Sequence, residues 1–358
     1  MYRIKQLTKR LLLVVKTLVN YFDHHDVIYI IEGANWSTDW DGKYLMQNLS
    51  LKKGKVDTTW CGYRNKVIHL GAFHLFFPRD KDRTYQFAKI HSSNQIILTI
   101  FHVAPEHENR VKILSKYINK FKYIHTANSQ TKELLVKLGL PTDKIVVIPL
   151  GVDINLLKPV SKEKKRQIRE KLSIPQEAFV IGSFQKDGIG WGKGLEPKVI
   201  KGPDILCDVL ENIAKKYNIF VLLSGPSRGY VKQRLDQANI KYVHKYIEDY
   251  LEYTHFFDAI NMYLVTSRRE GGPKMILEAM ASGVPVVSTA VGMVPDIISH
   301  NHGGLVAEIN DTKVLLELTL SLVEDKLLRD KLISNGYKIS QKYDWYKIAI
   351  EYENKLYN

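Results

Sequence analysis

The chain has 358 residues, 45% of them hydrophobic, and two cysteines, Cys61 and Cys207, far apart and in no metal-like spacing. That length and apolar content suit two domains with a core each, and the cysteine usage excludes a disulfide framework or zinc site and points to a reducing compartment, the cytoplasm. The net charge of +14 is unevenly placed: residues 1–150 carry 23 Lys+Arg against 12 Asp+Glu and residues 151–358 carry 29 against 26, so the basic first half suits nucleic acid, an anionic membrane surface or an anionic substrate.

Residues 4–22 place Ile4, Leu7, Leu11, Val14, Leu18 and Phe22 at helical spacing, with Lys5, Lys9, Arg10, Lys16 and Asn20 largely elsewhere. This predicts a basic amphipathic helix that either packs on its own domain or lies on a membrane surface. The apolar run Leu11–Val15 is cut by Lys16, far short of the roughly 20 residues that span a bilayer. No small-residue cleavage site follows it. Strands are expected over Val27–Ile31, Lys66–Leu70, Gln95–Phe101, Tyr123–Ala127 and Lys144–Pro149, with a helix over Ser129–Leu138. The first strand runs into a small-residue turn, Glu32-Gly33-Ala34-Asn35-Trp36-Ser37, and the third ends in His102. Asp39-Trp40-Asp41 and Asp80-Lys81-Asp82 have the spacing of a metal-binding triplet. No strand leads directly into either, and they carry little weight.

Residues 158–171, rich in Lys, Arg and Glu, read as a solvated linker or helix. The strand Ala178–Phe184 opens a second domain and leads into QKDGIGWGKGLEPKVIKGPD, a glycine-rich loop with Lys186, Lys193, Lys198 and Lys201. A nicotinamide-binding turn fails there: no G-x-G-x-x-G spacing occurs, and the next strand, Ile219–Leu223, ends in Ser224-Gly225 rather than an acidic residue. Ile240–Tyr242 reads as a short strand and Ile247–Phe257 as a helix.

The stretch TSRREGGPKMILEAMASGVPVVST, Thr266–Thr289, lies between two apolar runs of strand type, Ala259–Val265 and Val284–Val287, which predicts a βαβ unit. Pro273 suits the first helical position and Gly283 the left-handed stop. Glu278 is flanked by Met275, Ile276, Leu277, Ala279, Met280 and Ala281, so its carboxylate needs a partner, either Lys274 at i−4 or the hydroxyls or amides of a ligand. Glu270 falls at the carboxyl edge of the sheet, where Gly271 and Gly272 let backbone amides approach phosphate oxygens. Beyond lie a turn at Gly292–Asp296, one or two amphipathic helices over Thr312–Asn335 and a last helix over Tyr343–Tyr357.

The pattern E-G-G-P-x-x-x-x-E-A-M-A-x-G-x-P-V-V, from Glu270 onward, resembles the retaining glycosyltransferases of family 4, the glycosyl transferases group 1. The resemblance implies the α/β GT-B architecture, two Rossmann-like parallel-sheet domains facing across a cleft. It implies an acceptor-binding domain over residues 1–155, a nucleotide-sugar domain over 156–342 and a helix over 343–358 that crosses back to the first. KIVVIPLGVDINLLKP resembles the crossing between the two. By the same resemblance Glu270 contacts the donor sugar, Glu278 the ribose, Lys201 the phosphates, and His102 stands near the attacked sugar carbon. Gly33, Gly271, Gly272 and Pro273 belong to the donor-side turns. The family's G-R-L-x-x-x-K-G would put an arginine where this chain has Ser183, and Lys186 is the expected substitute, with Arg228 second.

The resemblance implies transfer of a sugar from a UDP- or GDP-type donor to a glycan or lipid-linked acceptor. Retention by front-face attack is what the resemblance implies. No cofactor or metal is expected, because lysines and a helix amino terminus face the diphosphate. The expected location is cytoplasmic, peripheral on the inner face of the membrane, with no nucleic-acid partner. A catalytically silent nucleotide-sugar-binding subunit is the alternative.

Overall fold

The computed structural model describes residues 14–34, 37–76, 90–104, 107–247, 250–300 and 302–358. The expectations for residues 4–13, Asn35, Trp36 and Asp80-Lys81-Asp82 lie outside these. Two units divide the chain: Met1–Leu150 with Trp345–Asn358, and Gly151–Asp344.

The first unit opens with a helix over 14–21 (α1). Then come β1 (Val27–Ile30), α2 (Ser37–Gln47), β2 (Gly54–Asp57), β3 (Val67–Leu70), β4 (Gln95–Thr99), α3 (Glu108–Ser115), β5 (Tyr123–Thr126), α4 (Ser129–Lys137) and β6 (Ile145–Val147). The strands pair in parallel in the order β2-β1-β3-β4-β5-β6. Val27, Ile28 and Ile30 of β1 and Ile97 and Leu98 of β4 are fully buried, as strands covered on both faces must be. Asp39 and Asp41 of the first metal-like triplet sit buried on α2, where Asp39 accepts a hydrogen bond from the Glu32 amide at 3.0 Å. Asp39 therefore ties down the turn after β1.

The second unit contains α5 (Lys162–Lys171), β7 (Phe179–Phe184), α6 (Pro203–Ala214), β8 (Ile219–Ser224), α7 (Gly229–Gln237), β9 (Lys241–Lys245), α8 (Tyr250–Tyr253), α9 (His255–Ala259), β10 (Met262–Val265) and α10 (Met275–Ala281). It ends with β11 (Val286–Thr289), α11 (Val294–Ile297), β12 (Ser299–His300), β13 (Gly303–Ala307), α12 (Thr312–Glu324) and α13 (Lys326–Ser340). The parallel order β12-β13-β11-β10-β7-β8-β9 reverses direction between β7 and β10, which makes that pair the switch point where a doubly wound sheet binds ligands.

Two of the expected helices take a different form, and β2 stands where no strand was expected. The helix expected over Ile247–Phe257 is broken into α8 and α9, and α5 is not merely solvated. Its Arg169 is buried and donates to the carbonyls of Ala259, Gln176 and Ala178 and to Asn261 Oδ1. A run of charged letters hides one arginine that staples a helix to the sheet.

The chain ends in the first unit with α14 (Trp345–Tyr352) and a π-helical turn over Glu353–Tyr357. Glu353 is buried and accepts from the amides of Ser50, Leu51 and Lys52 and from the Ser50 hydroxyl, at 2.6–3.0 Å. A buried relay completes the attachment. Tyr357 Oη lies 2.7 Å from His69 Nδ1, His69 Nε2 lies 2.7 Å from Thr99 Oγ1, and Thr99 Oγ1 lies 2.9 Å from His125 Nδ1. Tyr352 Oη lies 2.9 Å from His125 Nε2. Burial, and then the charge of its neighbour His125, pushes His69 well below the usual imidazole range; burial lowers His125 to about 4.

Candidate functional site

At the carboxyl end of β10 the chain turns sharply, and the turn is tied to the loop after β7. Thr266 Oγ1 donates to the Gly202 carbonyl at 2.8 Å, the amides of Arg268 and Arg269 donate to the Ile200 carbonyl, and Gln185 Nε2 donates to the Lys201 carbonyl at 3.0 Å. Gly202 is required here: it has φ +61°, and a Cβ would collide with the Thr266 carbonyl. Arg268 clamps the turn from outside through a two-pronged ion pair with Asp204, at 2.7 and 2.6 Å.

This scaffold brings Lys201 and Glu270 together. Lys201 Nζ lies 2.7 and 2.6 Å from the two Glu270 oxygens, and Ser267 Oγ donates to Glu270 Oε1 at 2.7 Å. Both charged side chains keep partial access to solvent, 22% and 15%. A ligand phosphate reaching Lys201 therefore competes with a carboxylate already there. Gly271, Gly272 and Pro273 follow, and the helix begins two residues later than expected, at Met275 with Lys274 as its cap. Pro273 still starts the turn, since its carbonyl accepts from the Ile276 amide at 2.9 Å. Gly283 ends the helix with φ +72°.

Glu278 is 1% exposed, and its partners come from α8: Tyr250 Oη at 2.6 Å from Oε1 and Tyr253 Oη at 3.1 Å from Oε2. Burial, and then the charge of Glu278, pushes the Tyr253 hydroxyl well above its ordinary value, so it stays a donor. Two tyrosines missed in the sequence thus satisfy the carboxylate. Tyrosine in a segment expected to be one continuous helix gave no signal of a role at a carboxylate 25–28 positions further along the chain.

The loop after β7 forms a hairpin that Arg228 and Asp187 hold from within. Arg228 is 1% exposed and is the largest fully buried side chain among the described residues. Its Nε lies 3.0 Å from Asp187 Oδ1, Nη1 donates to the carbonyls of Ser183, Gln185 and Ser224, and Nη2 donates to Ser183 Oγ. Burial pushes the Asp187 carboxyl up while the Arg228 charge opposes it. Arg228, the second expected substitute for the family arginine, is thus engaged by the protein itself. Its guanidinium fills the space beside Ser183, where the family arginine was missed, and is spent on the protein.

Lys186 is half-buried, and its Nζ sits 3.7 Å from the ring centre of Trp191, which is 63% exposed at the tip of the hairpin. A cation held over an indole is a weak attachment, about 0.5–2 kcal/mol. Gly33 lies in the first unit just after β1 with φ +78°. His102 is exposed in the same unit, three residues beyond β4, its ring 6.4 Å from that of His107. The structure thus gathers Lys201, Glu270, Gly271, Gly272 and Pro273 at one sheet edge in the second unit, with Glu278 in the helix that follows. Among the described residues no group of three or more His, Cys, Asp or Glu has a metal-holding arrangement. No helix of the described residues is long and apolar enough to cross a membrane.

Residues 194–339 match the family described as Glycosyl transferases group 1. An uncharacterized glycosyltransferase of Methanocaldococcus jannaschii is 30% identical over 151 residues, 42% of each chain. The N,N'-diacetylbacillosaminyl-diphospho-undecaprenol alpha-1,3-N-acetylgalactosaminyltransferase of Campylobacter jejuni is 29% identical over 255 residues, 70% of this chain and 64% of that one. The aligned part spans less than two thirds of either relative. Among solved structures, Anabaena Alr3699/HepE in complex with UDP and glucose superposes with a TM-score of 0.71 at 16% identity, covering 93% of this chain and 99% of that chain. At that identity the likeness establishes the fold, a pair of Rossmann-like domains of the GT-B class.

Proposed function

From the premise that residues 194–339 are a glycosyl transferases group 1 domain, we propose that this protein moves a sugar from a nucleotide diphosphate donor to an acceptor. The observation that carries the reading is the Lys201–Glu270 pair at the switch point between β7 and β10, beside Gly271 and Gly272. In this reading Lys201 binds the diphosphate and stabilises the charge that grows on it as the glycosidic bond breaks. Lys186 turns from Trp191 to assist, backbone amides of the glycine turn meet the remaining oxygens, and Glu270, relieved of Lys201, meets the donor sugar. Glu278 accepts from the ribose hydroxyls while its tyrosines hold the carboxylate in place. His102, in the first unit, is assigned to the neighbourhood of the reacting carbon.

The finer reading is a family 4 enzyme that retains anomeric configuration and needs no metal, with UDP or GDP as leaving group. Its acceptor is a glycan or lipid-linked glycan, as the diphospho-undecaprenol in the name of the Campylobacter jejuni relative suggests. A lipid-linked acceptor places the protein in the cytoplasm, peripheral on the inner face of the membrane. Incubation with a panel of UDP- and GDP-sugars, followed by detection of released nucleotide and by NMR of the product's anomeric proton, tests the whole. Absence of turnover with every donor, alongside measurable nucleotide binding, would reduce the protein to a binding subunit. Glu278→Ala is expected to weaken nucleotide binding by about 1.5–3 kcal/mol, the scale of a hydrogen bond to a charged group. Unchanged affinity in a folded variant removes the ribose assignment.

A further inference from the structure

Helix α1 is attached by the wrong side for a soluble domain. Its polar residues face the protein: Lys16 Nζ lies 2.5 Å from the buried Asp57 carboxylate, and Asn20, itself buried, donates to the Cys61 carbonyl at 2.9 Å. The helix backbone at Thr17 lies so close to Gly62 that a Cβ there would collide with it. Val14, Val15, Leu18, Val19 and Phe22, at i, i+1, i+4, i+5 and i+8, form one stripe on the outside, and with Tyr21 beside it they are 53–80% exposed. An amphipathic helix on a soluble domain buries its apolar stripe and wets its polar one. Here the arrangement is inverted, and polar contacts fix the inversion.

We infer that the outer stripe of α1 inserts into the interfacial layer of an anionic lipid membrane, with Lys16 and Asn20 holding the first unit against it. Two observations select lipid over a second copy of the chain. A stable pair of protein surfaces needs roughly 800 Å² and 20–30 residues on each side, and the apolar side chains exposed among residues 14–22 are far fewer than that. The thirteen residues that lead into the stripe carry Arg3, Lys5, Lys9 and Arg10 and no acid. The acids just after the helix are occupied within the fold, Asp23 by Lys55 and His25 and Asp26 by the Lys53 amide. Apolar side chains preceded in the sequence by four cations and no acid suit an interfacial helix on anionic lipid. The inference rests on the peripheral location proposed above and assigns it to particular side chains.

The test is sedimentation of the full chain with vesicles of phosphatidylcholine and phosphatidylglycerol, and with phosphatidylcholine alone. Alongside runs the triple variant Leu18→Ser, Val19→Ser, Phe22→Ser, whose positions are exposed and outside the candidate site. The wild-type chain is expected to bind the anionic vesicles at low salt and to leave them at 0.5 M NaCl. The triple variant should bind at least tenfold more weakly, with unchanged thermal unfolding and nucleotide affinity. Equal binding of wild type and variant overturns the inference, as does failure of the wild type to bind. So does light scattering that shows a dimer in the wild type and a monomer in the variant, which would make α1 a contact between copies. Nucleotide affinity and turnover, measured separately, report on the glycosyltransferase reading whatever the vesicles show.

Discussion

Glu270→Gln should tighten the binding of free nucleotide while lowering turnover. In the ligand-free protein both Glu270 oxygens engage Lys201 Nζ, at 2.7 and 2.6 Å. A diphosphate must therefore take the ammonium from a carboxylate before it gains anything. Fully exposed ion pairs are worth about 0.2–1 kcal/mol and buried hydrogen bonds to charged groups about 1.5–3. With side chains 22% and 15% exposed, this pair lies between those limits. Glutamine keeps one neutral acceptor for the ammonium, so the net release is about 1 kcal/mol, roughly a fivefold gain in affinity. Titration calorimetry with UDP and GDP reads it without interference from the sugar.

Turnover of the same variant should fall, because the neutral amide replaces the group assigned to the donor sugar. The cycle closes with Lys201→Ala. That variant should bind nucleotide more weakly, and in its background Glu270→Gln should bring no gain, since there is no cation left to free. An affinity that is unchanged or reduced in Glu270→Gln would refute the reasoning: Lys201 would then not be the phosphate ligand, or Glu270 would itself touch the nucleotide.

Three further outcomes follow from other parts of the structure. In the proposed function Lys186 leaves the Trp191 ring to meet the diphosphate, so nucleotide should change the fluorescence of wild-type protein, and Lys186→Met should abolish that part of the change; identical titrations of the two would show that Lys186 stays parked. Arg228→Met should destabilise the second unit by about 3–5 kcal/mol, because Asp187 is left buried and unpaired, and adding Asp187→Asn should recover part of it; a folded single variant with ordinary stability but lost nucleotide binding would restore Arg228 to the donor site. His69 and His125 are neutral in the fold with lowered pKa values, so their contribution is present above about 6.5, the usual imidazole value, and is lost as pH falls below it. His125, held at about 4, alone accounts for about 2 kcal/mol between pH 7 and 5. Carboxylates held low, such as Glu353, act only at lower pH, so a flat urea midpoint across pH 7 to 5 would contradict the relay.

The fold was legible because parallel sheets write themselves as short apolar runs. Val27–Ile31, Gln95–Phe101, Ala178–Phe184 and Ile219–Leu223 each mark a strand within two residues of its observed limits. What escaped were elements whose reason for existing lies elsewhere in the chain. β2, Gly54–Asp57, has only Val56 as an apolar residue and is a strand because β1 offers it an open edge. The break between α8 and α9 leaves no mark in composition, yet it delivers both tyrosines to Glu278.

The site was half legible for a related reason. Glu270, Gly271, Gly272 and Glu278 are adjacent in sequence and share one strand–turn–helix, so their spacing carries their placement. Arg228 and α1 show where that logic stops. A charged residue beside a predicted ligand edge is equally consistent with binding phosphate and with replacing a missing neighbour's contacts. The buried Asp187 and the three carbonyls on one Nη1 show what Arg228 holds within the protein, and no spacing in the sequence announces them. Helical periodicity, likewise, separates an apolar face from a polar one without saying which of them meets the protein. In α1 that choice was made by Asp57, a carboxylate at the end of β2 that burial compels to seek a cation. It finds Lys16, and the apolar stripe is turned to the outside as a consequence.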